Sequence, residues 1–477
     1  MDEFPILIGG KKIYTGETAE VRFPYNGDLY ARVCQAGSTD LDSAAAAAER
    51  SAGQMKELTS GERSRILANL AGEIRDHAVQ LIDSMVMEGG KTRKFAAAEV
   101  SRAELTIRIA SEEAKRIYGE VIPLDWSDET KGCYGCLRRF PVGPVLGIVP
   151  FNFPLNLACH KLGPAIAAGN PVVLKPASAT PVSALLLGDL CLAAGIPPGA
   201  ISVTPCPGSR AEQLVRDPRI RFVSFTGSCA VGWHLREIAG KKKVGLELGG
   251  NAAVIVHEDG ELGRAADRIA QGGFLNAGQV CVSVQRVFIH RTVFGPAVEK
   301  IVAAAKALNF GDPRDPASDV GPMIDQGKAE EAFQKVGEAV RQGAKVLAGG
   351  TLERTMFSPT VLSGTTPEMR VSCEEVFAPV ITVTPYDDFD AAVRMVNDSE
   401  FGLQAGVFTR DIGRVTRAFE DLRVGGVIIN DIPGFRADQM PYGGVKDSGL
   451  GREGPRYAIE EMTDVRFMVM HQTGSTG

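Results

Sequence analysis

VLGIVPFNFP, residues 145–154, is an unbroken apolar run of five residues, cut off where Pro150 and Pro154 enclose Phe151, Asn152 and Phe153. A run this short, stopped by proline, reads as a strand buried on both faces. Similar runs recur at 172–175 (VVLK), 201–204 (ISVT), 222–225 (FVSF) and 253–256 (AVIV), with helical patterns or turn residues between them. The alternation predicts an α/β fold whose parallel sheet is covered by helices. Ligands of such sheets bind at the carboxyl ends of the strands. A second alternating region follows Cys281, with strand-like runs at 285–290, 380–384, 405–408 and 426–430 and helical patterns at 293–306, 327–341 and 388–398. Two α/β units are expected, with Cys281 in the second and no internal repeat. Upstream, 39–117 reads as helical. Ser38, Thr39 and Asp40 are good cap types, TSGE at 59–62 fits a capping box, and Gly89-Gly90 fits the stop of the helix that TSGE opens.

At 477 residues the chain has room for two to four structural units. A net charge of −6 gives no reason to expect nucleic acid or an anionic membrane as partner. The stretch 143–175 is the most apolar, but five prolines break it, so no membrane span is expected. The start MDEFPILIGGKK is too acidic and too briefly apolar for a signal peptide. Nine cysteines, an odd number, suit a reducing cytoplasm rather than a disulfide framework. Cys133 and Cys136 form a lone C-x-x-C with no second pair, which reads as two thiols on a turn rather than a metal site. The tail 473–477 is expected to be disordered.

Four places could carry chemistry. Asn152, trapped between prolines and aromatics, has a side-chain amide that can donate to an oxyanion; the alternative is a turn asparagine. Lys175 closes a strand just before Pro176, where it can reach a ribose or a phosphate; the alternative is a solvated lysine. SFTGSCAVG, 224–232, runs from strand to helix start, where backbone N–H groups suit a pyrophosphate, although it is not G-x-G-x-x-G. Glu247, between Leu246 and Leu248, is an apolar-flanked carboxylate whose pKa would be raised as a general base requires; the alternative is an ordinary loop glutamate.

Taken together and in order, PFNFP (150–154), KPAS (175–178), FTGS (225–228), ELGG (247–250), GQVC (278–281) and EEVFAPV (374–380) resemble the aldehyde dehydrogenase superfamily. The likeness continues through FGDP (310–313), FGLQAGVFT (401–409) and PYGGVKDSGLGREG (441–454), and so spans essentially the whole chain. The resemblance implies that fold: a Rossmann-like cofactor domain from 1–119 and 141–247, an α/β catalytic domain from 248–440, and a small β oligomerisation unit from 120–140 and 441–472. It implies an enzyme in which Cys281 attacks an aldehyde, Asn152 holds the oxyanion and Glu247 activates the water that hydrolyses the thioester. Glu247 argues against relatives that pass the acyl group to CoA, and the intact trio argues against a relative without activity.

The resemblance also implies cofactor contacts from Phe151, Lys175, Ser178, Gly208, Phe225, Gly227, Ser228, Gly232, Leu248, Glu375 and Phe377. NAD-selective members often carry a glutamate where Ser178 stands, so NAD or NADP is expected. Phe151 stands where many relatives have tryptophan. No metal is implied. The substrate tunnel would draw on Arg102, Phe153, Asn156, His160 and Arg436. Arg102 and Arg436 match positions that carry arginine in relatives handling anionic aldehydes, such as non-phosphorylating glyceraldehyde-3-phosphate and phosphonoacetaldehyde dehydrogenases. Val280 stands where those relatives have a further arginine. PFNFPLN and FRADQMPYGG look like lactaldehyde and glycolaldehyde dehydrogenases, so a small hydroxylated or anionic aldehyde is expected; the alternative is a phosphorylated, phosphono- or semialdehyde substrate. The alternatives are structural salt bridges for both arginines and a merely packed helix residue for His160. A homodimer or homotetramer is implied.

Overall fold

The structure is a computed structural model and is described over residues 3–471; the tail expected to be disordered lies outside them. Among these residues the predicted helical region divides into Ser38–Glu57, Ser60–Asp76, Ala78–Gly89 and Arg93–Ala114. The first helix is capped by Gly37, not by Ser38, Thr39 or Asp40; Asp40 lies in its first turn and accepts from the Gly37 N–H at 2.9 Å. Thr59 and Glu62 form the expected capping box, with reciprocal bonds of 3.2 and 2.8 Å. The helix opened there ends at Asp76. Gly90, left-handed at φ 64°, stops the following helix instead.

One sheet has eight strands in the order Gly449–Leu450, Lys243–Glu247, Phe222–Thr226, Val145–Ile148, Val172–Lys175, Ile201–Val203, Ile6–Ile8 and Lys11–Ile13. Its five central strands are parallel, and antiparallel strands close both edges. Chain order reverses at Val145–Ile148, which starts in the middle and is flanked by later strands on both sides. The register pairs Ile148 with Lys175 and with Phe225, and Thr226 with Glu247. The strand ends that carry Asn152, Lys175, Gly227 and Glu247 therefore share one edge at a topological switch point.

A second sheet has seven strands, in the order Lys345–Ala348, Thr360–Ser363, Val380–Tyr386, Arg286–His290, Ala253–Val256, Gln404–Phe408 and Gly426–Ile429. The run 253–256 does not continue the first sheet. It is parallel to Arg286–His290 and Gln404–Phe408 at the centre of the second. A third, antiparallel sheet joins Thr463–His471, Cys133–Pro141 and Glu120–Pro123. Cys133 and Cys136 lie on a strand of this sheet rather than on a turn, and all nine cysteines are free. Among the described residues no helix is long and apolar enough to cross a membrane.

Helix Asn156–Ala168 is buried along its whole length, which its sequence NLACHKLGPAIAA allows at most positions. Leu157, Leu162, Ile166 and its alanines join the largest apolar core, at roughly 1.5–3 kcal/mol per fully buried large aliphatic side chain. At Gly163 a Cβ would stand 3.1 Å from the Cβ of Ala110, so this glycine lets helix Arg93–Ala114 pack close. The two helices thereby bring Glu99 to the Asn156 N–H at 3.0 Å and the Thr106 hydroxyl to the Asn156 side chain at 2.9 Å.

Candidate active site

The strand ends of the first sheet and the Cys281 loop of the second enclose a cavity of about 400 Å³. Cys281, Asn152 and Glu247 all line it. The chain reaches Cys281 through a tight reversal after helix Leu262–Phe274. Asn276, Ala277 and Gly278 are successively left-handed, with φ 52°, 54° and 68°. A side chain at 278 would collide with the Ala378 carbonyl, its Cβ falling 2.1 Å from the oxygen, so only glycine fits. The Cys281 Sγ lies 3.0 Å from the Tyr442 hydroxyl. Burial pushes the thiol up to about 11; the Tyr442 hydrogen bond and Arg436 oppose this, and Glu247 and Glu375 add to it.

Asn152 is buried, and its amide donates to the Gln279 carbonyl at 2.9 Å. A primary amide has two N–H groups, so one such bond leaves a second donor. The backbone here is braced by residues the sequence reading missed. Lys91 donates to the Asn152 carbonyl at 2.6 Å and forms a buried ion pair with Glu99. Glu99 accepts from the N–H groups of Leu155 and Asn156, each at 3.0 Å.

Glu247 ends strand Lys243–Glu247 and is buried; its Oε2 has no hydrogen-bond partner among the described residues. Burial, then Glu453, raises its carboxyl well above the usual range, against Arg436, Lys161 and Arg452. Lys161 donates to Thr226 Oγ1 at 2.7 Å and to Glu453 at 3.4 Å. Its signal was a lone lysine inside an apolar, proline-bearing helix.

The candidate substrate residues divide. Arg102, Phe153, Asn156 and Arg436 line the cavity, whereas His160 lies buried outside its wall. Arg102 grips Asp438 with two bonds of 3.1 and 2.8 Å but keeps 31% of its side chain exposed. His160 also bonds Asp438, at 2.9 Å, and burial lowers its pKa, so it packs as a neutral ring. Burial pushes the Asp438 carboxyl upward, but bonds from His160 and Arg102 overrule this and hold it well below the usual range. Arg436 donates to Glu453 at 2.9 Å and lies over the Tyr442 ring. Both arginines are therefore ion-paired and also face the cavity. Asp438, Tyr442 and Glu453 escaped the sequence reading as individual residues, because only contacts distant in sequence reveal them.

Of the candidate cofactor residues, Phe151, Gly227, Ser228, Leu248, Glu375 and Phe377 line the same cavity. Phe151 meets Phe377 edge-on, with centroids 6.0 Å apart. Burial raises Glu375 to about 7, and it accepts from the Gly250 N–H at 3.0 Å. Phe225 and Gly232 lie behind the wall. A Cβ at Gly227 would stand 2.5 Å from the Phe225 ring, and one at Gly232 would stand 2.3 Å from Leu248. Lys175 is buried outside the cavity wall, while Ser178 and Gly208 are exposed.

These residues fit a dinucleotide. Ser228 caps helix Cys229–Ile238 without a side-chain capping bond, so it does not compete for the first-turn N–H groups that would hold a pyrophosphate. Among the described residues Lys175 has no ion pair, and burial lowers its pKa, so its amine suits a hydroxyl or phosphate oxygen.

The family model for the aldehyde dehydrogenase family matches residues 13–468. The 3-sulfolactaldehyde dehydrogenase of Priestia aryabhattai is 41% identical over 98% of both chains. The crystal structure of aldehyde dehydrogenase 21 from Physcomitrella patens, in complex with the reaction product succinate, matches with a TM-score of 0.97 at 40% identity over 99% of both chains. The NADP-dependent glyceraldehyde-3-phosphate dehydrogenase of Bacillus halodurans C-125, complexed with NADP, matches with a TM-score of 0.96 at 33% identity over 98% of this chain and 99% of that one.

Proposed function

The chain belongs to the aldehyde dehydrogenase family and has its fold, and from that premise we propose that it oxidises a small hydroxylated or anionic aldehyde to the carboxylic acid with NAD or NADP. The observation that carries this reading is the convergence of Cys281, Asn152 and Glu247 on one cavity whose wall includes Arg102 and Arg436.

The Cys281 thiolate attacks the aldehyde carbon. The S–C bond forms, and the carbonyl electron pair moves to oxygen. The second N–H of the Asn152 amide and the Cys281 backbone N–H hold that oxyanion. Gly227, Ser228 and Glu375, with Phe151 and Phe377 at the ring, would hold a nicotinamide nucleotide, which when bound supplies the acceptor for the aldehyde hydrogen and its electron pair. Lys175 would meet the ribose or a phosphate. Ser178 places no carboxylate against a 2′-phosphate, which supports acceptance of NADP. Glu247 takes a proton from water, and that water cleaves the thioester and frees Cys281.

The substrate end is read by Arg102, whose exposed flank offers N–H donors beside Phe153. The sulfolactaldehyde-oxidising relative supports an aldehyde that carries both a hydroxyl and an anion. The relative solved with succinate favours a second reading, a dicarboxylic semialdehyde. With Asp438 already on Arg102, Glu453 on Arg436 and Val280 beside Cys281, the anion meets partly neutralised guanidinium groups rather than a free cluster, which suits a small substrate. A homo-oligomer is supported by the exposed apolar side chains of strand Thr463–His471, and a reducing cytoplasm by nine free cysteines.

The test is formation of reduced nucleotide with sulfolactaldehyde, lactaldehyde, glycolaldehyde, succinate semialdehyde and benzaldehyde, each with NAD and with NADP. Cys281→Ala should abolish turnover. Arg102→Leu should raise KM about tenfold for anionic aldehydes and leave glycolaldehyde unchanged. Benzaldehyde as best substrate, or full activity in Cys281→Ala, refutes the proposal.

A further inference from the structure

We propose that Tyr442 is a catalytic residue of this site: its hydroxyl donates a hydrogen bond to the Cys281 sulfur once the thiol has lost its proton and stabilises the thiolate form. The inference rests on the reading of Cys281 as nucleophile. The Tyr442 oxygen lies 3.0 Å from Sγ, and the described residues offer that hydroxyl no other hydrogen-bond partner. In the neutral pair either group can donate. Once the thiol has lost its proton to solvent, only the phenol can.

The phenol is held rigidly. Tyr442 is 3% exposed and packs with Val282 and Leu403. Its N–H donates to the Glu453 carbonyl at 3.0 Å, and the Glu453 N–H donates back at 2.6 Å. The Arg436 guanidinium stands 3.9 Å from its ring centroid. Burial holds the phenol well above its ordinary pKa, so it remains a neutral donor.

Charge around the sulfur does not favour ionisation by itself. Glu247, at the end of strand Lys243–Glu247, and Glu375, beyond helix Arg370–Cys373, both oppose the thiolate; Arg436 favours it. Among the described residues no histidine lines the cavity or bonds the thiol. A hydrogen-bond donor that adds no charge and touches the sulfur is what remains. Phenylalanine at 442 would keep the ring, the guanidinium contact and the backbone bonds while removing only that donor.

The experiment is the pH dependence of iodoacetamide alkylation at Cys281 in full-length protein without nucleotide, followed on the Cys281 peptide by mass spectrometry. Tyr442→Phe should move the midpoint up by about one pH unit and lower kcat/KM near neutrality about tenfold, as the thiolate fraction falls. A purely structural role would change the alkylation rate at every pH without moving the midpoint. If Tyr442→Phe does not fold, wild-type protein carrying 3-fluorotyrosine, a more acidic donor, should show the midpoint displaced downward. An unmoved midpoint in the measurable variant overturns the proposal. Turnover that survives in Cys281→Ala would instead overturn the nucleophile reading beneath it.

Discussion

Glu247, the proposed general base, has a buried oxygen with no hydrogen-bond partner among the described residues. A group in that position costs stability while serving the reaction. Glu247→Gln should therefore leave the thermal midpoint equal or higher while turnover stalls with the acyl group on Cys281, visible as an added mass on the protein. Asn152→Ala should lower kcat about 10²–10³-fold, as loss of one oxyanion donor does. Cys281, at about 11, and Glu247, also raised, are both acids that act deprotonated. The expected pH–rate profile in kcat/KM therefore climbs with rising pH toward the Cys281 value of about 11; a flat profile contradicts the assignment. At this scale Cys281, Asn152 and Glu247, which share one cavity, were legible as candidates because each sits in a motif. Asp438, Tyr442 and Glu453 were not, because what distinguishes each is a neighbour far away in the chain: Arg102, Cys281 and Lys161 respectively.

The loop 150–156 is the element on which the site turns. Pro150 and Pro154 restrict it, but the buried Lys91–Glu99 pair sets its position by bonding the Asn152 carbonyl and the Leu155 and Asn156 N–H groups. Lys91→Met leaves Glu99 as an unpaired buried charge. It should cost about 3–5 kcal/mol in denaturant melts and lower kcat by loosening the Asn152 backbone. Undiminished stability would mean that the loop is held by its prolines alone. The strands of this element and its neighbours were legible from short apolar runs. The helix boundaries were less so. The break after Asp76 carries no glycine or proline, so a continuous helical pattern concealed it.

Across the whole molecule, strand Thr463–His471 lies at the edge of the third sheet with Val465, Phe467, Met468, Val469 and Met470 exposed. An apolar edge of this kind invites pairing with another chain. Light scattering should give a mass that is a multiple of 50.8 kDa, and Val465→Asp with Val469→Asp should shift it towards the monomer; a wild-type monomer would refute the homo-oligomer. By itself the sequence determined the α/β alternation, the two sheet-forming regions and the choice of Cys281, Asn152 and Glu247 as candidates, which line one cavity, because strand burial, turn chemistry and motif order are local properties of a chain. Only the tertiary structure decided that 253–256 stands at the centre of the second sheet, that Arg102 reaches the cavity already holding Asp438, that His160 lies outside it, and that a tyrosine hydroxyl meets the cysteine sulfur. The physical reason is that an apolar run declares that it is buried but not which strands flank it. A charged or polar side chain likewise acquires its pKa and its hydrogen-bond partner from groups that packing brings together across the fold.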